Sequence, residues 1–287
     1  MERKEYIFKE VDGVSIDADV YFRRDQSTKS PIALHFHGGN FTVGSKAMLP
    51  PYHRDRLLDL GFIVVSANYR LCPTITLYEG PVKDSLDAYE WVRLSLPGLL
   101  EKEGVSADGS RIVASLPNRP KAILDLFGMK YLQDPIFHTA APTKPAFDQQ
   151  FIDQVHKDVP PPTSGPSPMG PNGPDFSNYR VAWMFNAIKA GNHLTTVVAD
   201  GNFARVDPAP LFSNASFPPT YFVHGTEDTL VDAKVSKQAY DELKSHDVES
   251  ELVLVEGAGH GFDAKLVPGD QTSAVIDKAL DFLKRHV

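Results

Sequence analysis

Three short motifs contain the residues of this chain that could do chemistry. HFHGGN (35–40) closes a strand-like run with Gly38 and Gly39, whose backbone N–H groups can approach a ligand closely because glycine has no side chain. HGTED places Asp228 just beyond a second strand-like run, and GAGHGF places His260 beyond the next one. An acid followed by a histidine after successive late strands is the order of a nucleophile-Asp-His triad. The motifs therefore predict acyl transfer, with glycine N–H groups stabilising the oxyanion.

Each of these residues also has a simpler interpretation. Two glycines after a strand can form an ordinary turn. Asp228 can cap a helix or a turn, and His260 can be a surface residue of a loop. The order of the acid and the histidine, rather than either residue alone, favours the catalytic interpretation.

The elements around the motifs predict an α/β fold with a mostly parallel sheet and helices on both faces. Residues 14–22 alternate between apolar and polar side chains, which indicates an early antiparallel strand with one buried face. PIALHFHGG (31–39) and GFIVVSANYR (61–70) are more continuously apolar, as interior strands are. Residues 81–96 place apolar side chains at steps of three and four, which predicts an amphipathic helix. Strands and helices alternate again over residues 219–287.

The pattern divides the chain into a core and an insertion. Residues 1–128 and 211–287 carry the regular elements, whereas residues 129–210 are irregular. The insertion contains DVPPPTSGPSPMGPNGPD, whose prolines and glycines prevent a helix or a central strand. We expect residues 129–210 to form a lid or cap that determines specificity, although the sequence assigns no pocket residue within it.

HFHGGN, SANYRLCP and the pair HGTED and GAGHGF resemble the hormone-sensitive-lipase-like branch of the α/β-hydrolase family, which comprises esterases and related hydrolases. The resemblance covers about residues 14–127 and 219–287 and leaves the middle of the chain unmatched. It implies an α/β-hydrolase-type sheet with an irregular lid. Asn40 stands where the family often has a third glycine, which is a departure from its pattern.

The resemblance also implies roles for the residues of the motifs. Gly38 and Gly39 would belong to the oxyanion loop. Asp228 would be the catalytic acid and His260 the base.

The family's nucleophile motif, Gly-x-Ser-x-Gly, has no counterpart in this sequence. RIVA (111–114) stands where the family has the preceding strand and AILDLF (122–127) where it has the next, with only SLPNRPK between them. A crossover between parallel strands needs at least about ten residues and normally includes a helix. We therefore predict that about 20 residues, with the serine and the crossover helix, are missing between Ala114 and Ser115 through skipped coding sequence or an incorrectly joined gene. RIVA should then leave the sheet, reverse or pair elsewhere, and the chain should be poorly stable.

The sequence offers no substitute nucleophile and no cofactor or metal site. Ser115 follows RIVA, but the Leu-Pro pair after it does not accept the strained turn that glycine neighbours permit. His35 and His37 lie on one face of a strand, yet two ligands are too few for a zinc site. Cys72, the single cysteine, is expected to be a buried packing residue.

Composition narrows the classes of protein and partner. The chain has 287 residues with 42% apolar and 23% charged content, as expected for one large globular α/β core with an insertion. Its net charge of -8 and the lack of a basic cluster exclude nucleic acid as a partner. No run approaches about 18 apolar residues, so no membrane span is expected. Residues 1–13 lack the apolar part of a secretion signal, which predicts a cytoplasmic location.

Two functions remain open on this sequence. The first is a carboxylic-ester hydrolase whose intact form uses a serine, and which is nearly inactive as this chain. The second is a pseudoenzyme that binds a small molecule in the same pocket, as plant gibberellin receptors do; they resemble the same branch. Both functions predict a small-molecule ester or another hydrophobic ligand as the partner.

Overall fold

A computed structural model describes residues 1–24, 29–114, 120–142, 147–170 and 173–287. The described strands are β1 (Glu2–Val11), β2 (Val14–Phe22), β3 (Ser30–Phe36), β4 (Ile63–Ala67), β5 (Ala107–Ala114), β6 (Ile123–Leu126), β7 (Thr220–Gly225) and β8 (Ser250–Val255). The described α-helices are α1 (Pro51–Asp59), α2 (Lys83–Leu94), α3 (Leu96–Glu101), α4 (Gln149–Ile152), α5 (Tyr179–Ala190), α6 (His193–Val197), α7 (Lys234–Ser245) and α8 (Gln271–Arg285).

The strands form two hydrogen-bonded groups that meet at the end of β5. The first group has the order β1-β2-β4-β3-β5 and the second the order β6-β7-β8. β2 is antiparallel to β1 and β4, whereas the pairings of β3 with β4 and β5, and of β7 with β6 and β8, are parallel. The N–H of Ala114 donates to the carbonyl of Ala122 at 3.2 Å, and the N–H of Lys121 donates to the carbonyl of Ile112 at 2.7 Å. These bonds join the groups, and one edge of the joined sheet collects the carboxyl ends of the parallel strands.

The expectation that RIVA leaves the sheet is wrong. Residues 111–114 end β5, which pairs with β3 in parallel, and Ile123–Leu126 pairs with β7 in parallel. The two strands are staggered, because the bonds among the described residues join the chain entering β6 to the last residues of β5. Lys121 thus lies only about two or three residues back along β5 from its end, at about 3.3 Å per residue. A connection as long as a whole strand is therefore not needed. The connecting residues 115–119 lie outside the described part of the chain.

Apolar side chains cover both faces of the sheet, as the sequence predicts. All five residues of β4 and all six of β7 are buried, which explains their continuous apolar runs. On one face, Val92 and Leu96 from α2 and α3 pack on the strands. On the other face, Ile276, Leu280 and Leu283 of α8 occupy one stripe of an amphipathic helix.

Residues 129–210, which we call the cap segment, contain α4, α5 and α6. Apolar residues of this segment, including Val155, Val181 and Leu194, form a cluster with Val43 and Cys72 from the core loops. Within the described ranges, no helix has both the length and the apolar character needed to cross a bilayer.

Candidate active site

Asp228 and His260 come together at the carboxyl edge of the sheet. Asp228 lies three residues after the end of β7, and His260 lies five residues after the end of β8. Nδ1 of His260 is 2.7 Å from Oδ2 of Asp228. A carboxylate can only accept, so His260 donates its Nδ1–H and keeps Nε2 available as a base. The Asp228 side chain is fully buried, whereas the His260 side chain is 33% exposed.

Four donors surround the Asp228 carboxylate. Its Oδ1 accepts from the N–H groups of Leu230 and Val231, each at 2.9 Å, and its Oδ2 faces both His260 and Nε2 of His224, the latter at 3.2 Å. Burial raises the pKa of Asp228, but the hydrogen bonds from His224, His260 and the Val231 N–H outweigh it and hold the pKa below its ordinary value. Asp228 therefore stays ionised and fixed, as the orienting acid of a triad must.

Phe127 packs edge-on against the His260 ring. The two ring centroids are 4.7 Å apart with an interplanar angle of 62°. Phe127 directly follows β6 and has a φ of 42°, which is uncommon for a large side chain. Sequence reasoning missed this residue. Its position at the end of a strand on the same edge as Asp228 is the signal that could have found it.

The conformation of the loop after β3 requires glycine at position 39. Gly39 has a φ of 113°, and a Cβ there would lie 2.2 Å from the carbonyl oxygen of Val43. The carbonyl of Gly39 accepts from the N–H groups of Thr42 and Val43 at 3.0 and 3.1 Å, which closes the turn. Among the described residues, the N–H groups of Gly38 and Gly39 have no hydrogen-bond partner. They are therefore available to bind an oxyanion.

The two residues after Gly39 share its left-handed backbone. Asn40 has a φ of 47° and Phe41 a φ of 60°. Asparagine adopts this region more readily than most residues, which gives a physical reason why it can stand where the family often has glycine.

The histidines and the cysteine near this loop are uncharged packing residues. His35 pairs with the hydroxyl of Ser66 at 3.0 Å, and His37 stacks on Tyr69 with ring centroids 4.2 Å apart. Burial lowers the pKa of His35 to about 3 and that of His37 to about 4. Burial also raises the pKa of the Cys72 thiol to about 12, so it is a poor nucleophile at neutral pH. The described residues contain no group of three or more side chains arranged to hold a metal ion.

The cap segment binds this loop, which we call the oxyanion loop (37–44), through a buried arginine. Arg180 of α5 donates from Nε to the carbonyl of Thr42 at 3.1 Å and from Nη2 to the carbonyl of Cys72 at 2.5 Å. It also pairs with Asp158. The hydroxyl of Thr42 lies 3.1 Å from Nε2 of His193 at the start of α6. Sequence reasoning missed these contacts, because a charged residue inside a helix carries no burial signal.

The predicted nucleophile position follows β5. β5 ends at Ala114, on the same edge as Asp228 and His260, while Ser115 and the predicted junction lie outside the described residues. The structure thus bonds the predicted acid to the predicted base, and the shared edge brings the oxyanion loop to the same side of the sheet.

Two family descriptions match parts of the chain. Residues 33–114 match the alpha/beta hydrolase fold, and residues 183–287 match the prolyl oligopeptidase family. The first match contains the oxyanion loop and ends at Ala114; the second contains Asp228 and His260.

Sequence relatives are polyketide synthases that are much longer than this chain. The chain is 28% identical over 352 positions to the non-reducing polyketide synthase ausA of Emericella nidulans, covering 100% of the chain and 14% of the synthase. It is 29% identical over 341 positions to the non-reducing polyketide synthase mapC of Penicillium brevicompactum, covering 98% and 14%. The chain thus spans 14% of the length of these curated relatives. Both alignments are longer than the 287 residues of the chain, so the relatives contain residues that the chain lacks.

Solved structures share the fold at low sequence identity. A protein of unknown function from Staphylococcus aureus superposes with a TM-score of 0.74 and 17% identity, covering 99% of both chains. Esterase 2 of Thermogutta terrifontis, phosphonylated by sarin, superposes with a TM-score of 0.58 and 18% identity, covering 97% of this chain and 91% of the esterase. Together with the two family matches, these similarities make the chain an α/β-hydrolase-fold protein, as its motifs imply.

Proposed function

We propose that the chain is a form of an acyl-transfer hydrolase that lacks its nucleophile. In the intact form a serine attacks the acyl carbonyl, His260 takes the serine proton, and Asp228 holds the imidazole in the required tautomer. The N–H groups of Gly38 and Gly39 donate to the oxyanion of the tetrahedral intermediate. Without the serine, this chain keeps Asp228, His260 and the two glycines, and it is nearly inactive.

One observation carries this proposal: the 2.7 Å hydrogen bond between His260 Nδ1 and the buried carboxylate of Asp228, at the carboxyl edge of the sheet. A histidine held by Nδ1 to an ionised acid, with its other nitrogen free, is the arrangement that a general base requires. An ordinary turn aspartate does not need a second residue from a different loop.

The missing nucleophile is supported by the pattern of similarity. The hydrolase-fold match stops at Ala114, where the segment with the serine is predicted to be absent. The alignments with the synthases contain more positions than the chain has residues. A deletion of about 20 residues at this junction accounts for the end of the hydrolase-fold match and for part of the excess of 352 aligned positions over 287 residues.

The names of the relatives suggest the class of substrate. A synthase that builds polyketides handles growing acyl chains, and a hydrolase-fold segment within it is suited to attack on an acyl carbonyl. We propose that the intact form releases such an acyl chain from a thioester or ester. The cap segment, as a lid of residues 129–210, would then contact the acyl group.

The chain has a single cysteine, Cys72, which is compatible with a reducing cytoplasm.

The test is to restore the segment. A segment of about 20 residues with a glycine-flanked serine and a helix is inserted between Ala114 and Ser115, and hydrolysis of p-nitrophenyl acetate and of an N-acetylcysteamine thioester is measured. We expect a gain on the order of 10⁴-fold or more over the printed chain, because a complete triad replaces an incomplete one. The same insertion with its serine replaced by alanine is the matched control. The restored chain with His260→Ala should also lose the gain, and a folded restored chain without any gain would contradict the proposal.

A non-catalytic ligand-binding protein is the second candidate. It is favoured by one observation, that the described residues after β5 offer no glycine-flanked serine. It predicts that the printed chain melts cooperatively and binds a small carboxylic acid or ester in a saturable manner. Isothermal titration with acetate and with a longer fatty acid separates the two candidates, because the first requires no tight binding by the printed chain.

A further inference from the structure

A fully buried lysine lies behind the acid-base pair. Lys130 follows β6 in the chain, and its ammonium donates to the carbonyl of Gly128 at 2.6 Å, to Oγ of Ser236 at 2.9 Å and to Oδ1 of Asp125 at 3.3 Å. An ammonium has three donors and no acceptor, so these three partners use its whole capacity. Lysine is almost never buried unless it is paired in this way.

The direction of the next hydrogen bonds follows from this lysine. Ser236 accepts from Lys130, so its single hydroxyl hydrogen is free to donate to Nδ1 of His224, which lies 2.8 Å away. His224 is fully buried on β7, and with Nδ1 as the acceptor its proton resides on Nε2. This Nε2–H donates to the carbonyl of Val231 at 2.8 Å and faces Oδ2 of Asp228 at 3.2 Å.

We propose that Lys130 and Ser236 are positioning residues that hold His224 in its Nε2–H tautomer and thereby fix Asp228 for His260. The inference rests on the proposed function in one respect, the role of His260 as base. Lys130, Ser236 and His224 contact no reacting atom, so they act on catalysis only through the Asp228 carboxylate.

The opposite tautomer is incompatible with the same packing. With the proton on Nδ1, the lone pair of His224 Nε2 would face two acceptors, the Val231 carbonyl and Oδ2 of Asp228. Both contacts would become repulsive, and Asp228 would lose one of its four donors. The ammonium prevents this reversal, because Ser236 cannot donate to Lys130 and therefore donates to His224.

The tautomer can be measured directly on the full chain. In long-range ¹H–¹⁵N spectra of protein labelled at histidine, we expect His224 to have a protonated Nε2 and an unprotonated Nδ1. In Ser236→Ala, Nδ1 of His224 loses its donor while Nε2 keeps both acceptors, so we expect the Nε2–H tautomer to persist in a ring that is held less firmly. The exchange of the His260 Nδ1–H with water should then become at least tenfold faster. Ser250→Ala is the matched control, since Ser250 is a buried serine on β8 whose hydroxyl donates to the Val248 carbonyl at 3.3 Å, and it should change neither readout.

Two results would overturn the proposal. One is wild-type protein with the His224 proton on Nδ1, and the other is Ser236→Ala with unchanged exchange of the His260 Nδ1–H. Lys130→Met should reproduce the effect of Ser236→Ala; if this variant does not fold, the other two measurements still decide. Neither readout needs turnover, so an inactive restored chain with the expected tautomer would refute the proposed function and leave this inference intact.

Discussion

Two regions at the same edge of the sheet differ in whether the expected catalytic side chains are in place. In the loops after β7 and β8, Asp228 is bonded to His260 and faces three further donors. At the end of β5, Lys121 and Ala122 are already bonded to the strand, and no described side chain there could act as a nucleophile. The partners of Asp228 come from its own loop, from β7 and from the loop after β8. The acid-base pair can therefore persist when the segment after β5 is lost.

The oxyanion loop depends on different contacts again. Its Thr42 carbonyl is held by Arg180 from the cap segment, and its turn requires Gly39. Changes that act on this loop should therefore leave the acid-base pair in place, which makes the difference between the regions testable.

The largest effect that we expect is acid destabilisation, concentrated away from the acid-base pair. Burial lowers the pKa of His35 to about 3 and those of His37, His53 and His193 to about 4, whereas an unfolded chain has the ordinary value of 6.5. Unfolding therefore takes up protons below pH 6.5. The stability that the neutral buried histidines contribute is fully present above pH 6.5 and is lost as the pH falls towards about 4. Asp263 has the opposite effect, since burial raises its pKa from 3.8 to about 6. Between these values the folded chain binds one proton that the unfolded chain does not.

We expect the free energy of unfolding to fall by about 4 kcal/mol between pH 6.5 and roughly pH 5, at up to about 1.4 kcal/mol per proton and pH unit. Urea unfolding across this range measures it. His193→Gln should reduce the slope by about one proton. A profile that is flat from pH 7 to about 5 would show that the buried histidines are not neutral.

Arg180 tests whether the cap segment holds the oxyanion loop. Arg180→Met removes two hydrogen bonds to carbonyls and the positive charge that faces Asp158, which keeps the hydroxyl of Tyr179 as a donor. We expect a loss of about 3 kcal/mol in the free energy of unfolding, because the arginine is almost fully buried. Arg93→Met is the control, since the exposed pair of Arg93 with Glu90 is worth less than about 1 kcal/mol. Equal losses in the free energy of unfolding for Arg180→Met and Arg93→Met would show that Arg180 does not hold the oxyanion loop.

Gly39 tests the turn of the oxyanion loop. In Gly39→Ala the new Cβ meets the Val43 carbonyl at 2.2 Å with a φ of 113°, so the loop has to shift. We expect a loss of about 2 kcal/mol in the free energy of unfolding, measured by urea denaturation. Gly98→Ala should instead gain about 0.5 kcal/mol, because Gly98 lies in α3 and its Cβ would meet no atom within 4 Å. A Gly39→Ala protein as stable as Gly98→Ala would contradict the predicted strain.

Replacing Ser115 should not change labelling by a serine-reactive probe. A fluorophosphonate probe labels an activated serine, and Ser115 has no glycine neighbours to expose it. We expect the printed chain and Ser115→Ala to give equally weak labelling. Clear labelling of the printed chain that disappears in Ser115→Ala would make Ser115 a nucleophile and cancel the difference between the two regions.

Sequence patterns predicted the parts of the fold that burial dictates. β3, β4 and β7 are apolar along their length because both faces are covered, and the runs reveal them. The order of Asp228 and His260 after successive strands predicted their proximity. β1 was missed, because its alternation of Lys and Glu with the half-buried Tyr6 and Phe8 resembles a polar terminus.

The rest depends on contacts between distant residues. Lys130 meets Ser236 across 106 positions, and Arg180 meets Thr42 across 138, so no local pattern announces either one. The error over RIVA had another origin, the assumption that neighbouring parallel strands overlap along their length. The stagger between β5 and β6 is set by packing, which the local sequence does not reveal.

The central claim is that this chain has the acid and base of a triad hydrolase but lacks the segment with its nucleophile. Sequencing the natural transcript across the codons for Ala114 and Ser115 tests it most directly. We predict an in-frame segment at this junction that encodes a glycine-flanked serine and a helix. A transcript that joins the two codons with nothing between them would contradict this account and make the protein a non-catalytic derivative of the fold.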